Sequence, residues 1–451
     1  MTGQRLTIRE PEIELYEDGF DATDRGVADL GRKEDGKKLS DLVEKFAEPM
    51  VIAVDAPWGA GKSVFLKCWV GAHTKENEGT ATTVYFDAFQ HDFLDDPLIA
   101  LTGVISERFE DETPQSGKWD KIKETAYRLR KPAARIGAAA VTGGVSELTA
   151  PVIDAVLDAT NAEFSKASEA FWKKEDGKRA AMQGFRDALE NLAADQKLVI
   201  VVDELDRCRP DYALNLLEVI KHFFNVENVH FVLGVNLTEL ENSVRARYGA
   251  GVNASKYLQK FWTLKMSLNR EPTKLNARYF IQISTKVPSI LDNTKSPIFK
   301  AMAHVLMLSK DPALSLRDIN RIISLTMLTR IHGTRRDNIG LFYIRALIII
   351  IKISHPEIYE RILSETVNKH EISELFNYLN PDKFHEANLL KDCIDWLFED
   401  GFGHRENLGV SASNLGPKYF PPRGPVLEAA FPQSALHKIA TEELEVFQLP
   451  T

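Results

Sequence analysis

The sequence predicts an α/β fold: a parallel β-sheet flanked by helices, with a helical insertion and a C-terminal helical domain. Short apolar runs typical of buried strands alternate with segments of helical periodicity over the first 265 residues. That alternation is the pattern of a parallel sheet covered on both faces. Beyond about residue 265 the strand signals end, and helical periodicity dominates to about residue 400. The runs that we assign to strands are Met50–Val54, Thr82–Phe86, Lys197–Val202 and Val229–Val235.

The composition is typical of a globular chain with two or three domains. Of the 451 residues, 44% are hydrophobic and 27% are charged, and the formal net charge is -9. This acidic balance argues against a protein whose whole surface coats nucleic acid. The three cysteines lie far apart without metal-ligand spacing, and the first 20 residues lack the apolar core of a signal peptide. We therefore expect a cytoplasmic protein.

Two segments are apolar enough to be compared with membrane spans. Residues 136–146 carry no charge, and residues 346–351 are strongly apolar, but charged residues flank both closely. A spanning helix needs roughly 18 or more apolar residues. The sequence therefore predicts two buried helix segments and no transmembrane span.

A phosphate-binding loop (P-loop) follows the first strand, where residues 56–63 read A-P-W-G-A-G-K-S. In the pattern G-x-x-x-x-G-K-[ST], backbone N–H groups bind phosphates, the Lys reaches the β- and γ-phosphates, and the hydroxyl ligates Mg²⁺. Lys62 and Ser63 take these two roles. Ala56 stands where the pattern has Gly, so we expect a different backbone path there. The predicted phosphate-binding residues are Pro57, Trp58, Gly59, Ala60, Gly61, Lys62, Ser63 and Val64.

An acidic cluster follows the third predicted strand, where residues 203–208 read D-E-L-D-R-C. A carboxylate at the end of a strand beside a P-loop holds Mg²⁺ directly or through water, and a following Glu can polarise the attacking water. We assign Asp203 to the metal and Glu204 to the catalytic base. Asp206 is a second candidate for either role.

Three further residues are candidates for contacts near the γ-phosphate, where cationic and polar groups stabilise charge. Asn236 ends the fourth predicted strand and could contact the attacking water, or it could simply terminate the strand in a turn. Arg207 could pair with Asp206 or reach a neighbouring subunit. Arg321 could reach the phosphates from the helical domain, or form a surface salt bridge, for instance with Asp318.

With these motifs in view, the chain resembles the KAP family of P-loop NTPases over about residues 20–350. Residues 57–63 resemble the family's W-G-x-G-K-[ST] loop, and residues 203–208 match its D-[DE]-L-D-R-C segment. Residues 85–91 are similar to its F-N-A-W-x-H segment, with Asp87 and Phe89 as departures. Residues 256–261 and 316–321 resemble its Y-L-x-K and R-x-[IV]-x-R segments.

The resemblance implies that the protein binds ATP and Mg²⁺ and hydrolyses ATP. It also implies that an N-terminal segment around Asp24 and residues 30–32 approaches the base of the nucleotide. It further implies a role in bacterial defence against phage or foreign DNA. The predicted domains are an N-terminal segment (1–48), a P-loop NTPase core (49–265, with the helical insertion at about 111–177), a helical lid (266–400) and a Pro-containing C-terminal tail (401–451).

We expect a Mg²⁺-dependent ATPase that acts as a nucleotide-driven switch. The alternatives are a nucleotide-binding scaffold that hydrolyses little and recruits an effector, and an NTPase that associates with a membrane surface. The sequence allows self-association into a homo-oligomer and binding of a partner effector protein. Nucleic acid is also open because residues 121–131 form a basic cluster, although such clusters are usually solvated helix faces.

Overall fold

The structure of the chain is a computed structural model that forms two compact units. The sheet unit comprises Ile13–Ala22 and Gly31–Leu268, and the helical unit comprises Met1–Glu12, Thr23–Leu30 and Asn269–Thr451. The described residues are 11–22, 30–94, 96–110, 182–194, 196–223, 225–268, 272–286, 297–310, 314–328, 339–376 and positions 390, 391, 393, 394, 398, 440 and 441.

Several predicted segments lie outside the described residues. They are the helical insertion at about 111–177, which contains the basic cluster at 121–131 and the apolar residues 136–146, and the segment around Asp24. The C-terminal tail at 401–451 also lies outside them, apart from two positions. The division of the chain into four domains stays a prediction.

The sheet unit contains a five-stranded parallel sheet with the strand order β2-β3-β4-β1-β5. Helices flank this sheet, which confirms the predicted fold class. The strands are β1 (Val51–Asp55), β2 (Thr82–Asp87), β3 (Leu198–Asp203), β4 (Val229–Val235) and β5 (Leu264–Ser267).

Helices connect the strands of the sheet unit, as parallel pairing requires. Pro210 is the first residue of its helix, a position where its missing N–H costs nothing. The helices are α1 (Lys33–Lys45), α2 (Lys62–Lys75), α3 (Pro97–Glu110), α4 (182–193), α5 (Pro210–Lys221), α6 (Leu237–Tyr248) and α7 (Ala254–Leu258). Single 3₁₀ turns occupy Phe89–His91, Leu205–Arg207 and Gln259–Phe261.

Side chains of the central strands alternate between two buried faces, as the two-residue period of a strand requires. On one face, Val54 and Val201 cluster with Phe65, Leu66 and Trp69 of α2. On the opposite face, the intervening residues cluster with side chains of α3, α4 and α5. Because both faces are covered, the strands read in the sequence as continuous apolar runs. Strand residues of the second cluster include Val51, Ala53, Ile200, Val202 and Phe231.

The strand β5 was not predicted, because the sequence pattern places the end of the strand signals at about residue 265. It has four residues, lies at the edge of the sheet and pairs only with β1 among the described strands. Three of its four residues are exposed, so it needs no apolar run. An edge strand of this kind gives almost no signal in sequence periodicity.

The helical unit has its own hydrophobic core. Its helix α11 (Ile339–Ser354) is apolar over most of its length and is largely buried, with residues 344 and 346–351 at most 1% exposed. In the described ranges, no helix of the protein is both long enough and apolar enough to cross a bilayer. The helices are α8 (Pro272–Lys286), α9 (Pro297–Leu308), α10 (Leu316–Leu328), α11 (Ile339–Ser354), α12 (Pro356–Leu363) and α13 (Lys369–Glu374).

Candidate functional site

The candidate site lies at the carboxyl edge of the sheet, where three neighbouring strands end. The P-loop follows β1, the acidic cluster follows β3, and β4 lies between these two strands. Asn236 follows β4 and occupies the position before the first residue of α6. Ligands of parallel α/β sheets bind at this edge, outside the carboxyl ends of the strands.

The P-loop turns through two glycines in the left-handed region. Gly59 has φ 75° and Gly61 has φ 79°, and α2 begins directly after Gly61. A side chain at either position would strain the backbone. Ala56 lies outside the left-handed region, and its N–H donates to the Val235 carbonyl at 3.2 Å. The residue that stands in place of the first Gly therefore needs no conformation that Ala disfavours.

Lys62 is held by the loop and by one acid of the cluster. Its side chain is 6% exposed, and Nζ donates to the Ala56 carbonyl at 3.2 Å and lies 3.5 Å from Asp206 Oδ1. The other oxygen of Asp206 accepts a hydrogen bond from the indole N–H of Trp58. Asp206 therefore links the P-loop to the end of β3, a contact that the sequence did not predict.

Asp203 is fully buried at the end of β3. Its Oδ2 accepts a hydrogen bond from the Tyr85 hydroxyl at 2.7 Å, and its Oδ1 accepts one from the Glu204 N–H at 2.8 Å. Burial and the neighbouring Glu204 charge raise the pKa of Asp203 to about 6, against the opposing effect of hydrogen bonds from Tyr85, Ser63 and the backbone. In the described part of the chain, no Lys or Arg side chain pairs with this carboxylate.

Glu204 is positioned by its backbone and by two side chains. Its φ of 59° is left-handed, a conformation that costs energy for a residue with a Cβ and that recurs at functional sites. Its Oε1 accepts a hydrogen bond from Ser63 Oγ at 2.5 Å, and its Oε2 lies 2.7 Å from Arg207 Nε. Among the described residues, the ion pair of Arg207 is therefore with Glu204 and not with Asp206, the partner within the chain that the sequence analysis considered.

The proposed roles of Asn236 and Arg321 near the γ-phosphate stay predictions. Asn236 is half-buried, and its side chain makes no capping hydrogen bond at the start of α6. Its position between β1 and β3 suits a side chain that contacts the attacking water. Arg321 belongs to the helical unit, where its guanidinium lies 3.4 Å from Asp318 Oδ1, as the salt-bridge alternative predicts.

Arg32 contacts the P-loop, and the sequence motifs did not predict this contact. Its guanidinium is buried and donates to the carbonyls of Ala60 at 2.7 Å and Gly61 at 3.3 Å. Desolvation lowers the pKa of Arg32 to about 10, so the group stays charged at neutral pH. The family resemblance implies that this segment approaches the base of the nucleotide. In the structure, the Arg32 side chain binds the backbone of the P-loop.

The residues fit a magnesium-bound triphosphate. Asp203 is a buried carboxylate without a cationic partner in the described ranges, and a metal ion there would offset its desolvation. The Ser63 hydroxyl lies beside it, and the buried Lys62 ammonium lies in the same loop. Among the described residues, no three His, Cys, Asp or Glu side chains form a metal cluster, so Mg²⁺ would also need phosphate oxygens.

Comparison with known proteins agrees with this geometry. The chain matches the KAP family P-loop domain over residues 34–331, which is more than half of its length. The chain belongs to this family. The match spans the P-loop, the acidic cluster and Asn236, so this KAP protein is a nucleotide-binding P-loop NTPase, and the resemblance predicted from the sequence is confirmed.

The chain is also similar to solved structures. The structure of the Aeropyrum pernix ORC2 protein in ADPNP–ADP complexes is 13% identical, and the alignment covers 91% of this chain and 85% of that one with a TM-score of 0.34. A TM-score this low supports no argument about fold or function. No curated protein matches the chain.

Proposed function

We propose that this KAP protein binds ATP with Mg²⁺, hydrolyses the ATP and uses its nucleotide state as a switch. Bound Mg²⁺ would neutralise charge on the β- and γ-phosphates of the nucleotide. The chain's own residues would hold the triphosphate, orient the attacking water and accept its proton. We choose ATP over GTP because the resembling family binds ATP. The motif N-K-x-D, which recognises guanine, is absent from the sequence.

One observation supports the proposal most strongly: two segments 141 residues apart in the chain meet at the same edge of the sheet. The hydroxyl of Ser63 bonds the Glu204 carboxylate, and the ammonium of Lys62 lies 3.5 Å from Asp206. Ser63 also hydrogen-bonds Asp203, so the lysine and hydroxyl of the P-loop lie beside three carboxylates. P-loop NTPases use a lysine and a hydroxyl of the loop, a strand-end Asp and a residue that orients water to hydrolyse a Mg²⁺-bound triphosphate.

Each side chain of the site has its own proposed role, given by its position. Lys62 would contact the β- and γ-phosphates, while Ser63 and Asp203 would provide protein oxygens to Mg²⁺. Glu204 would orient and deprotonate water once the Ser63 hydroxyl turned away from it. Arg207, which already pairs with Glu204, would hold that carboxylate in place.

Two substitutions test the assignments. Lys62→Ala should abolish ATP binding, measured with a fluorescent ATP analogue. Glu204→Gln should bind ATP within about two-fold of wild type while phosphate release falls about 10²–10⁴-fold, because a positioned general base contributes that much. Turnover at the wild-type rate in Glu204→Gln would contradict the base assignment. Lys75→Ala changes an exposed side chain of α2, Glu241→Gln changes a half-buried side chain of α6, and both serve as matched controls.

A second function, a nucleotide-binding scaffold with little hydrolysis, is favoured by one feature of the site. Both oxygens of Glu204 are already engaged, one by Ser63 and one by Arg207. If the Ser63 hydroxyl stays on this carboxylate when ATP is bound, it competes with the attacking water for the same oxygen. ATP binding without phosphate release above the Glu204→Gln background would support the scaffold and contradict the ATPase.

The family resemblance extends the proposal to cytoplasmic defence of bacteria against phage or foreign DNA. A partner effector or a second copy of the chain would receive the switch signal. Phage plating on cells that express wild-type or Lys62→Ala protein tests this role, with ATPase rates measured with and without DNA. Equal plaque numbers on both strains would count against it.

A further inference from the structure

The hydroxyl of Tyr85 makes a contact with the metal-binding carboxylate that the proposed mechanism does not use. Tyr85 lies on β2, 118 residues before Asp203, and its hydroxyl donates to Asp203 Oδ2 at 2.7 Å. The strands β2 and β3 are paired in parallel, with Asp87 opposite Asp203. Tyr85 is two residues before Asp87, so its side chain lies on the same face of the sheet and reaches Asp203 diagonally.

The two oxygens of Asp203 are fixed from different directions. Tyr85 binds Oδ2, and the Glu204 N–H binds Oδ1. Gly234 on β4 closes the third side, because a Cβ there would lie 2.5 Å from Oδ1. The carboxylate therefore has one orientation, and each of its oxygens keeps lone pairs for a further ligand.

Two further contacts of Tyr85 do not involve its hydroxyl. Its backbone N–H donates to the Tyr16 hydroxyl at 2.9 Å, and Lys67 Nζ lies 5.7 Å from the centre of its ring. The ring also lines a surface pocket of about 490 Å³, so it does not merely fill a closed core. A phenylalanine would keep the ring, and the hydroxyl is the part that touches the site.

We propose that Tyr85 is a positioning residue for Mg²⁺: its hydroxyl orients the Asp203 carboxylate toward the metal. The inference rests on the proposed function, because it assigns Asp203 to the metal. Ligating carboxylates are generally oriented by hydrogen bonds from an outer layer of residues, and loss of such a partner typically weakens metal affinity about 10–100-fold. Tyr85 would not touch the nucleotide or the attacking water.

The experiment measures metal binding rather than turnover. Mn²⁺ replaces Mg²⁺, and its binding to the full chain with a saturating non-hydrolysable ATP analogue is followed by electron paramagnetic resonance. We expect Tyr85→Phe to bind Mn²⁺ about 10-fold more weakly. Its affinity for the ATP analogue without metal should stay within about two-fold of wild type, because Tyr85 is not part of the P-loop. Circular dichroism melts check that the variant folds.

Tyr16→Phe is the matched control. It removes a hydroxyl that bonds the Tyr85 backbone and leaves the hydrogen bond to Asp203 in place. Its Mn²⁺ affinity should equal that of wild type. In an Asp203→Asn background, Tyr85→Phe should cause no further loss, because the group that it orients is no longer a carboxylate.

Three results would overturn the inference: unchanged Mn²⁺ affinity in Tyr85→Phe, an equal loss in Tyr16→Phe, or an additive loss in the Asp203→Asn background. The last two would show that the tyrosines act through general stability. If wild-type protein with the ATP analogue took up no Mn²⁺, the proposed function itself would fail and this inference with it. Nucleotide-dependent Mn²⁺ uptake by wild type together with unchanged affinity in Tyr85→Phe would refute only the role of Tyr85.

Discussion

Replacing Asp203 by Asn should stabilise the metal-free protein while it weakens the binding of Mg²⁺. The Asp203 carboxyl is fully buried, and burial together with the Glu204 charge raises its pKa from 3.8 to about 6. An acid with a higher pKa in the folded state binds its proton more tightly there, so its ionised form weakens the fold. A shift of about two pKa units corresponds to about 3 kcal/mol of unfolding free energy.

The sign of the effect fixes a pH window. The neutral acid favours the fold below pH 4, and that contribution is lost as the pH rises through about 6. Asn does not ionise, so its variant avoids the loss. The difference in unfolding free energy should therefore be small at pH 4 and about 3 kcal/mol in favour of Asn at pH 7. The Asn amide can accept a hydrogen bond from the Glu204 N–H and donate one to the Tyr85 oxygen, so these two groups keep a partner.

The assay is urea unfolding in the presence of a metal chelator at pH 4.5, 5.5 and 7.5. Wild type and Asp203→Asn should have similar midpoints at the lowest pH and should separate as the pH rises. Asp187→Asn, on the exposed side of α4, controls for the general effect of removing a carboxylate. A variant less stable than wild type at pH 7.5, or a difference that does not change with pH, would refute the electrostatic argument.

Two further substitutions address the shape of the site. Gly234→Ala places a Cβ 2.5 Å from Asp203 Oδ1, so we expect a loss of about 1–3 kcal/mol in urea unfolding and weaker Mn²⁺ binding. Gly103→Ala, where nothing lies within 4 Å, should be neutral or stabilising, and equal midpoints for the two variants would contradict the prediction. Arg32→Met removes the guanidinium that holds two P-loop carbonyls and should lower the unfolding free energy by about 2–3 kcal/mol. In a fluorescent-nucleotide titration it should bind ATP more weakly than Arg245→Met, which changes a 42% exposed side chain, and equal affinities would contradict it.

The sheet was predictable where its strands are buried on both sides. The runs that became β1 to β4 are apolar because each central strand packs against helices on both faces. The order of the strands does not follow from periodicity, because β4 inserts between β1 and β3 although it comes later in the chain. The edge strand β5 escaped prediction because its exposed side chains carry no pattern.

The meeting of the two nucleotide motifs was predictable, whereas their individual contacts were not. Parallel strands bring their carboxyl ends to one edge, so a P-loop after β1 and an acidic cluster after β3 must lie near each other. Which charged side chains pair with each other depends on the backbone angles of the residues that carry them. Glu204 reaches both Ser63 and Arg207 because of its left-handed φ, an angle that no motif predicts for a Glu. The partner of Asp203, Tyr85, comes from the edge of the sheet opposite β5.

Each carboxylate of the site has a different kind of partner, and this difference separates their roles. Asp206 pairs with Lys62 and the Trp58 indole, so its charge is already balanced inside the protein. Glu204 is balanced by Arg207 at the surface. Asp203 receives only hydrogen bonds in the described part of the chain, and its charge is therefore the one that a cation would stabilise most. Charge balance therefore supports the proposed assignment of Asp203 to the metal as well as position does, and it makes Asp206 better suited to fixing Lys62 than to binding Mg²⁺.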